Sequence, residues 1–203
     1  MNYGKVFIVD DDEAIRDALT WLLQSRGVTA LAFPSAEAFL TQWKPTMAGC
    51  LLLDIRMSGM SGLDLFDRLR DVQSRIPVIF LTGHGDVPMA VGALKRGARD
   101  FVEKPFNDNE LVDRVIEALE WDSQRRATEA GNATVAACLA ALTMRERQVM
   151  DLVLAGKLNK VIADDLGITM RTVEVHRAHV FEKMGVKTAV ELAQLLSTFK
   201  ADR

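Results

Sequence analysis

Five polar residues stand at the ends of apolar runs, and together they have the parts to carry a phosphoryl group. Asp10 and Asp11 follow KVFIV, Asp54 closes CLLLD, Thr82 closes IPVIFLT and Lys104 closes DFVEK. Three carboxylates drawn together repel one another and raise their own pKa values unless a cation joins them. An all-oxygen cluster suits a hard ion such as Mg2+, which keeps several waters and takes few protein ligands. One carboxylate is then placed to attack phosphorus and form an acyl phosphate. An ammonium and a hydroxyl at the rim would neutralise and bond the transferring oxygens, which makes Asp54 the candidate acceptor. The competing reading, that each acid caps a helix, holds for Asp12, which precedes EAIRDAL with Glu13 in the first turn. It is weaker for Asp54, because GMSG follows and no helix begins at once.

Such residues meet only if the runs lie side by side. KVFIVD (5–10), VTALAF (28–33), CLLLD (50–54), IPVIFLT (76–82) and DFVEK (100–104) read as strands. Between and after them lie helix-like segments at 13–27, 35–43, 63–72, 87–98 and 107–122. The first places Ile15, Ala18, Leu19, Leu22 and Leu23 at helical spacing, and the second opens on Ser35 as N-cap. This alternation predicts an α/β fold, a doubly wound five-stranded parallel sheet in the order 2-1-3-4-5. That order sets strands 1, 3 and 4 together, with the polar residues at the carboxyl edge where chemistry collects in such sheets.

After about Trp121 the pattern lapses. Residues 123–141, polar and rich in small side chains, read as a linker or a frayed helix extension. From 142 to 203 only helix-like segments follow (143–156, 159–167, 170–185 and 189–199), which predicts a second, all-α domain. The 203 residues, 49% hydrophobic and 26% charged, are enough for two cores. Charge divides unevenly: residues 1–124 hold 13 Lys+Arg against 19 Asp+Glu, and residues 125–203 hold 12 against 9. An acidic half joined to a basic one suggests different partners, the second a polyanion. No apolar stretch approaches the ~20 residues that cross a bilayer. The N-terminus has no signal-peptide pattern. Cys50 and Cys138 read as reduced thiols, so the expected location is cytoplasmic and no membrane is expected as a partner. His84, between two glycines, lacks a second soft ligand at metal spacing.

VDDDEAIR, LLLDIRMSGMSG, VIFLTGHGD and DFVEKPF resemble the receiver domain of two-component response regulators, here over residues 1–122. The separations agree: 43 from Asp11 to Asp54, 28 on to Thr82 and 22 more to Lys104. The resemblance implies that Asp54 accepts a phosphoryl group from a sensor histidine kinase. It implies Mg2+ as cofactor, with Asp11 and Asp54 touching it directly, Asp10 through water and Arg56 through its carbonyl oxygen. Thr82 and Lys104 would hold the phosphoryl oxygens, Phe101 would occupy the switch position, and the Lys104–Pro105 bond would be cis. Phe101 also reads simply as a core residue of the fifth strand. The sequence departs from the family at Ser58, where proline is common, which predicts a looser loop after Asp54 with no ligand lost.

In the second half, LTMRE, Gly156, NKVIA, LGI, RTVEVH and KMGV resemble the LuxR-type helix-turn-helix of FixJ/NarL-type regulators, with the motif at about 159–178. The residues alone carry part of this reading. In NKVIADDLG, Val161, Ile162 and Leu166 are expected inside, and Thr169 caps the next helix. On that helix Val173, Val180 and Met184 form an inward stripe, while Arg171, Glu174, Val175 and Ala178 share a face fit for a major groove. Val175 and Ala178 allow close approach and contact with a thymine methyl, and Glu174 can accept from cytosine N4. Lys160, Arg171, Thr172, His176, Arg177 and Lys183 suit phosphates. Thr169 and Met170, which open the helix, complete the DNA-binding set. For Lys183 a solvated helical face is an equal alternative. Leu192, Ala193, Leu196 and Phe199 are expected to complete the core and to pair with a second subunit.

The two resemblances imply a transcription regulator whose partners are a sensor histidine kinase, double-stranded promoter DNA, RNA polymerase and, on activation, a second copy of the chain. Three competitors fare worse. A phosphatase using Asp54 needs an acid two residues on, where Arg56 stands. A phosphate-independent regulator would leave the five-residue set without a purpose. A nucleotide-binding α/β protein lacks G-x-G-x-x-G after the first strand. No enzymatic turnover is therefore expected beyond self-phosphorylation and autodephosphorylation at Asp54.

Overall fold

The computed structural model describes residues 4–83 and 87–201, and the chain divides between Arg126 and Ala127 into two compact units. In the first, strands and helices alternate: β1 (Lys5–Val9), α1 (Glu13–Ser25), β2 (Thr29–Phe33), α2 (Ala36–Gln42), β3 (Gly49–Asp54), α3 (Gly62–Asp71), β4 (Val78–Thr82), α4 (Val87–Lys95), β5 (Asp100–Glu103) and α5 (Asp108–Ala140). All strand pairs are parallel and the order is β2-β1-β3-β4-β5, as the alternation predicts.

Pleating sends successive side chains to opposite faces. Val6, Ile8, Leu52, Ile79 and Leu81 pack with Leu19 and Leu23 of α1 and Leu111 and Val115 of α5. Phe7, Val9, Leu51, Leu53 and Phe80 meet Phe39, Leu65, Phe66 and Ala90 from α2, α3 and α4. β3 is buried along its whole length, so its position has little freedom, and Asp54 with it. Asp12 and Ser35 cap α1 and α2 as expected. Ala18, placed on the apolar stripe of α1, is exposed, and Leu19, Leu22 and Leu23 do the packing.

Residues 123–140 continue α5 as helix. The last turns are held by apolar contacts: Val135, Cys138 and Leu139 join the core of the second unit around Leu142, Val180 and Leu192. The rest of that unit is α6 (Met144–Leu154), α7 (Asn159–Leu166), α8 (Met170–Met184) and α9 (Ala189–Ala201). A capping box of Thr143 and Glu146 starts α6. Gly167, at φ 64°, turns the chain between α7 and α8, a left-handed conformation glycine adopts without steric cost. Val173, Val180 and Met184 are buried as expected. Val161 is not: it is 42% exposed, and Ile162 and Ala163 fill the core side of the short α7. Leu192 and Leu196 of α9 are buried, Phe199 packs against the same core, and Ala193 is exposed. No helix among the described residues is long and apolar enough to cross a membrane.

Candidate functional site

The carboxyl ends of β1, β3 and β4 bring Asp10, Asp54 and Thr82 together, and Lys104 follows β5. The register sets Asp54 opposite Leu81 and Thr82 opposite Glu103, and the Lys104 amide donates to the Thr82 carbonyl at 2.7 Å. Lys104 Nζ lies 2.6 Å from Asp54 Oδ1 and 2.8 Å from Asp10 Oδ2, so one ammonium is shared by two buried carboxylates. Burial pushes the pKa of Asp54 upward against the opposing pull of Lys104. The remaining oxygens are taken by backbone amides: Arg56 N–H donates to Asp54 Oδ2 at 2.8 Å, and Asp12 N–H to Asp10 Oδ1 at 2.9 Å. Thr82 is fully buried. Phe101 is half-buried and packs against the α2–α4 side of the core, as its core reading expects. The Lys104–Pro105 bond is cis. His84 lies outside the described residues.

Asp11 points elsewhere. Its Oδ2 accepts the Ser58 amide at 2.8 Å and the Ser58 hydroxyl at 2.9 Å, and these bonds hold its pKa below the usual carboxylate range. The expected slack at Ser58 is therefore absent: a proline has no N–H to give, and serine ties the loop down twice. Met60 N–H adds a bond to Glu37 of α2 at 3.0 Å. Gly62 lets α3 start against the strand end, since a Cβ there would sit 2.0 Å from the Asp54 carbonyl oxygen. Sequence reasoning passed over Glu37 and Gly62. The spacing G-M-S-G held a hint for the second, but nothing signalled the first.

Among the described residues no three His, Cys, Asp or Glu side chains are arranged to hold a metal ion, because Lys104 bridges two of the acids and Ser58 holds the third. The donor set nonetheless fits Mg2+. It is all oxygen, and three carboxylates against one ammonium leave two negative charges, which one divalent cation would balance.

In the second unit Arg171, Glu174, Val175 and Ala178 stand exposed along α8, together with Lys160 on α7 and Met170 at the helix start. Thr169 caps α8, accepting the Thr172 amide at 3.2 Å. His176 is half-buried. Arg177 donates to Asn159 Oδ1 at 2.9 Å and lies over the Phe181 ring, so it braces α8 against the start of α7. Lys183 is drawn to the buried Glu146 at 2.7 Å and to the Ala141 carbonyl. Those bonds favour a structural role for Lys183 over phosphate contact. Glu146, also bonded to the Thr143 amide, has its pKa lowered to about 2, chiefly by Lys183.

Comparison with known proteins agrees with both halves. The response regulator receiver domain model matches residues 6–116, and the model for bacterial regulatory proteins of the luxR family matches 140–196. The chain is 49% identical over 192 residues to the C4-dicarboxylate transport transcriptional regulatory protein DctR of Rhodobacter capsulatus, covering 94% of this chain and 98% of that one. It is 43% identical to the transcriptional regulatory protein FixJ of Bradyrhizobium diazoefficiens, over 95% of this chain and 94% of that one. Among solved structures it resembles the response regulator StyR, with a TM-score of 0.88 at 40% identity over 95% of this chain and 98% of that one. Full-length FixJ from B. japonicum gives 0.63 at 41% identity over 99% of both chains. A buried pair of acids bridged by a lysine at the carboxyl edge of a 2-1-3-4-5 sheet, followed by a LuxR-type helical unit, places this chain among the two-component response regulators that join a receiver domain to a helix-turn-helix DNA-binding domain.

Proposed function

We propose that this chain is a transcription regulator switched on by phosphorylation of Asp54, with residues 1–122 receiving the signal and residues 142–203 reading DNA. The observation that carries the reading is the Asp54 carboxylate, buried at a strand end, shared through Lys104 with Asp10 and one register step from Thr82. An Asp54 oxygen attacks the phosphorus of a phosphohistidine on a sensor histidine kinase. A P–O bond forms, the P–N bond breaks, and the electron pair leaves with the imidazole nitrogen. Lys104 then moves from the carboxylate to a phosphoryl oxygen, and the Thr82 hydroxyl donates to another. Asp11 and Asp54 directly, Asp10 through water and the Arg56 carbonyl oxygen would hold Mg2+, which when bound supplies positive charge beside the transferring oxygens. Hydrolysis of the acyl phosphate by water resets the switch.

Phosphorylation adds ~1.5–2 negative charges. Drawing Thr82 and Phe101 toward them reshapes the α4–β5–α5 face, so that two copies pair or the DNA-binding unit is released. A shift from mostly inactive to mostly active needs the phosphoryl group to favour the active form by ~5 kcal/mol. Paired recognition helices would then meet half-sites of promoter DNA one turn apart and present bound DNA to RNA polymerase. Arg171, Thr172, Lys160 and His176 are placed for phosphates, and Glu174, Val175 and Ala178 for base edges.

The test treats the purified chain with a small-molecule phosphodonor and Mg2+ and reads its intact mass. One phosphoryl group gained by the wild type and none by Asp54→Asn is the expected result. No gain in the wild type, or an equal gain in the variant, overturns the assignment.

A further inference from the structure

At the amino ends of β4 and β5, across the sheet from Asp54, a cleft of about 770 Å3 opens between α3, the loops before both strands and the part of α5 near Trp121. Its walls include Arg70, Arg75, Arg96, Arg99 and Arg125 and contain no Asp or Glu side chain. The surrounding domain is acidic, with 19 Asp+Glu against 13 Lys+Arg over residues 1–124. Five cations have thus been gathered into one hollow of a negative domain. Carboxylates outside the lining offset part of this charge, and an anion entering the hollow would meet the rest.

Four of these guanidinium groups are set on aromatic rings. Arg70 and Arg96 lie 5.8 and 6.0 Å from the centre of Phe66, and Arg99 and Arg125 lie 5.4 and 5.5 Å from the centre of Trp121. From outside the lining Asp67 meets Arg96 at 2.7 Å and Arg70 at 3.7 Å, and Asp122 holds Arg125. Arg99 has no carboxylate partner among the described residues and rests on the indole. Arginine rather than lysine throughout favours bidentate binding of phosphate oxygens. Indole and guanidinium planes offer a base something to stack on, and Gln73 and Ser74 on the rim can bond its edge. The volume lies within the range of small-molecule sites.

We propose that this cleft binds a nucleotide carrying two or more phosphate charges, with Arg99 swinging off the indole to join Arg96 on the phosphates and the base taking its place against Trp121. The test is calorimetric titration of the full chain with ATP, and separately with pyrophosphate, in the absence of divalent metal. ATP should saturate a single site at about 100 μM or tighter, with pyrophosphate about tenfold weaker because it has no base to stack. The Arg96→Ala, Arg99→Ala double variant should lose about 100-fold in ATP affinity. Trp121→Leu should lose about tenfold for ATP and nothing for pyrophosphate. Both variants alter exposed groups, and an unchanged thermal midpoint confirms that each is folded. Arg171→Ala should bind ATP as the wild type does. No saturable binding up to about 1 mM, retained affinity in the double variant, weakening by Arg171→Ala, or equal affinity for ATP and pyrophosphate would each overturn the proposal.

Discussion

Around Asp54 the charged groups hang from the ends of buried strands and are bonded to one another, whereas the α8 residues expected to meet DNA stand exposed on one helix, with their neighbours bracing them from behind. Asp10 is 1% exposed and Asp54 is 7% exposed, and both share Lys104. Arg171, Glu174 and Val175 face solvent, while Arg177 and Lys183 on the same helix hold it to α7 and α6. Position in the first region is set by the backbone, so one altered side chain leaves another charge without a partner. Position in the second is set by a helix face, so its outward residues can change with little cost to folding.

The largest effect should come from Lys104→Met. With its ammonium gone, the phosphoryl oxygens lose a positioned cation, and phosphorylation of Asp54 from a small donor should slow by about 10²–10³-fold. A rate within threefold of the wild type would mean that the shared ammonium matters only to folding. Glu146→Gln should lower the stability of the helical unit by about 2 kcal/mol, because Lys183 loses its anion and the cap is weakened. Glu146 titrates lower when folded than when unfolded. Its contribution is therefore complete above the ordinary carboxylate pKa and is lost as pH falls from about 4.5 toward about 2. Denaturation of wild type and variant across that window should converge at the acid end, and parallel curves would exclude the linkage.

How far the sequence already carried this picture differs between the regions in the same way. The strands, their order and the five polar residues at their ends followed from apolar runs and punctuation, because a buried parallel sheet leaves so few choices. What depended on meetings between distant side chains did not follow. Lys183 read equally as a phosphate contact because Glu146 stands 37 positions earlier. Residues 123–141 read as linker or extension, since their apolar anchors, Val135, Cys138 and Leu139, arrive only at the end of a polar helix. Ser58 was expected to loosen a loop that it ties, because its partner Asp11 lies across the site. The arginines of the cleft come from α3, two loops and α5, and no spacing reveals them.

Smaller effects sharpen the contrast. Arg171→Ala should flatten the dependence of DNA affinity on salt by about one unit, whereas Lys183→Ala should leave that slope alone and lower stability instead. An equal loss of slope in both would return Lys183 to the interface. Ser58→Ala removes one of two bonds to Asp11 and should cost about 1 kcal/mol. Amide exchange across residues 56–60 should quicken accordingly, and unchanged protection there would mean that the backbone bond suffices.

The central claim, that charge placed on Asp54 governs the exposed face of α8, is tested most directly by DNA affinity measured before and after phosphorylation. Treatment with phosphodonor and Mg2+ should raise the affinity of the wild type for its promoter about tenfold or more, and leave Asp54→Asn unchanged. Equal affinity in the two states of a chain shown by mass to be fully phosphorylated would contradict it.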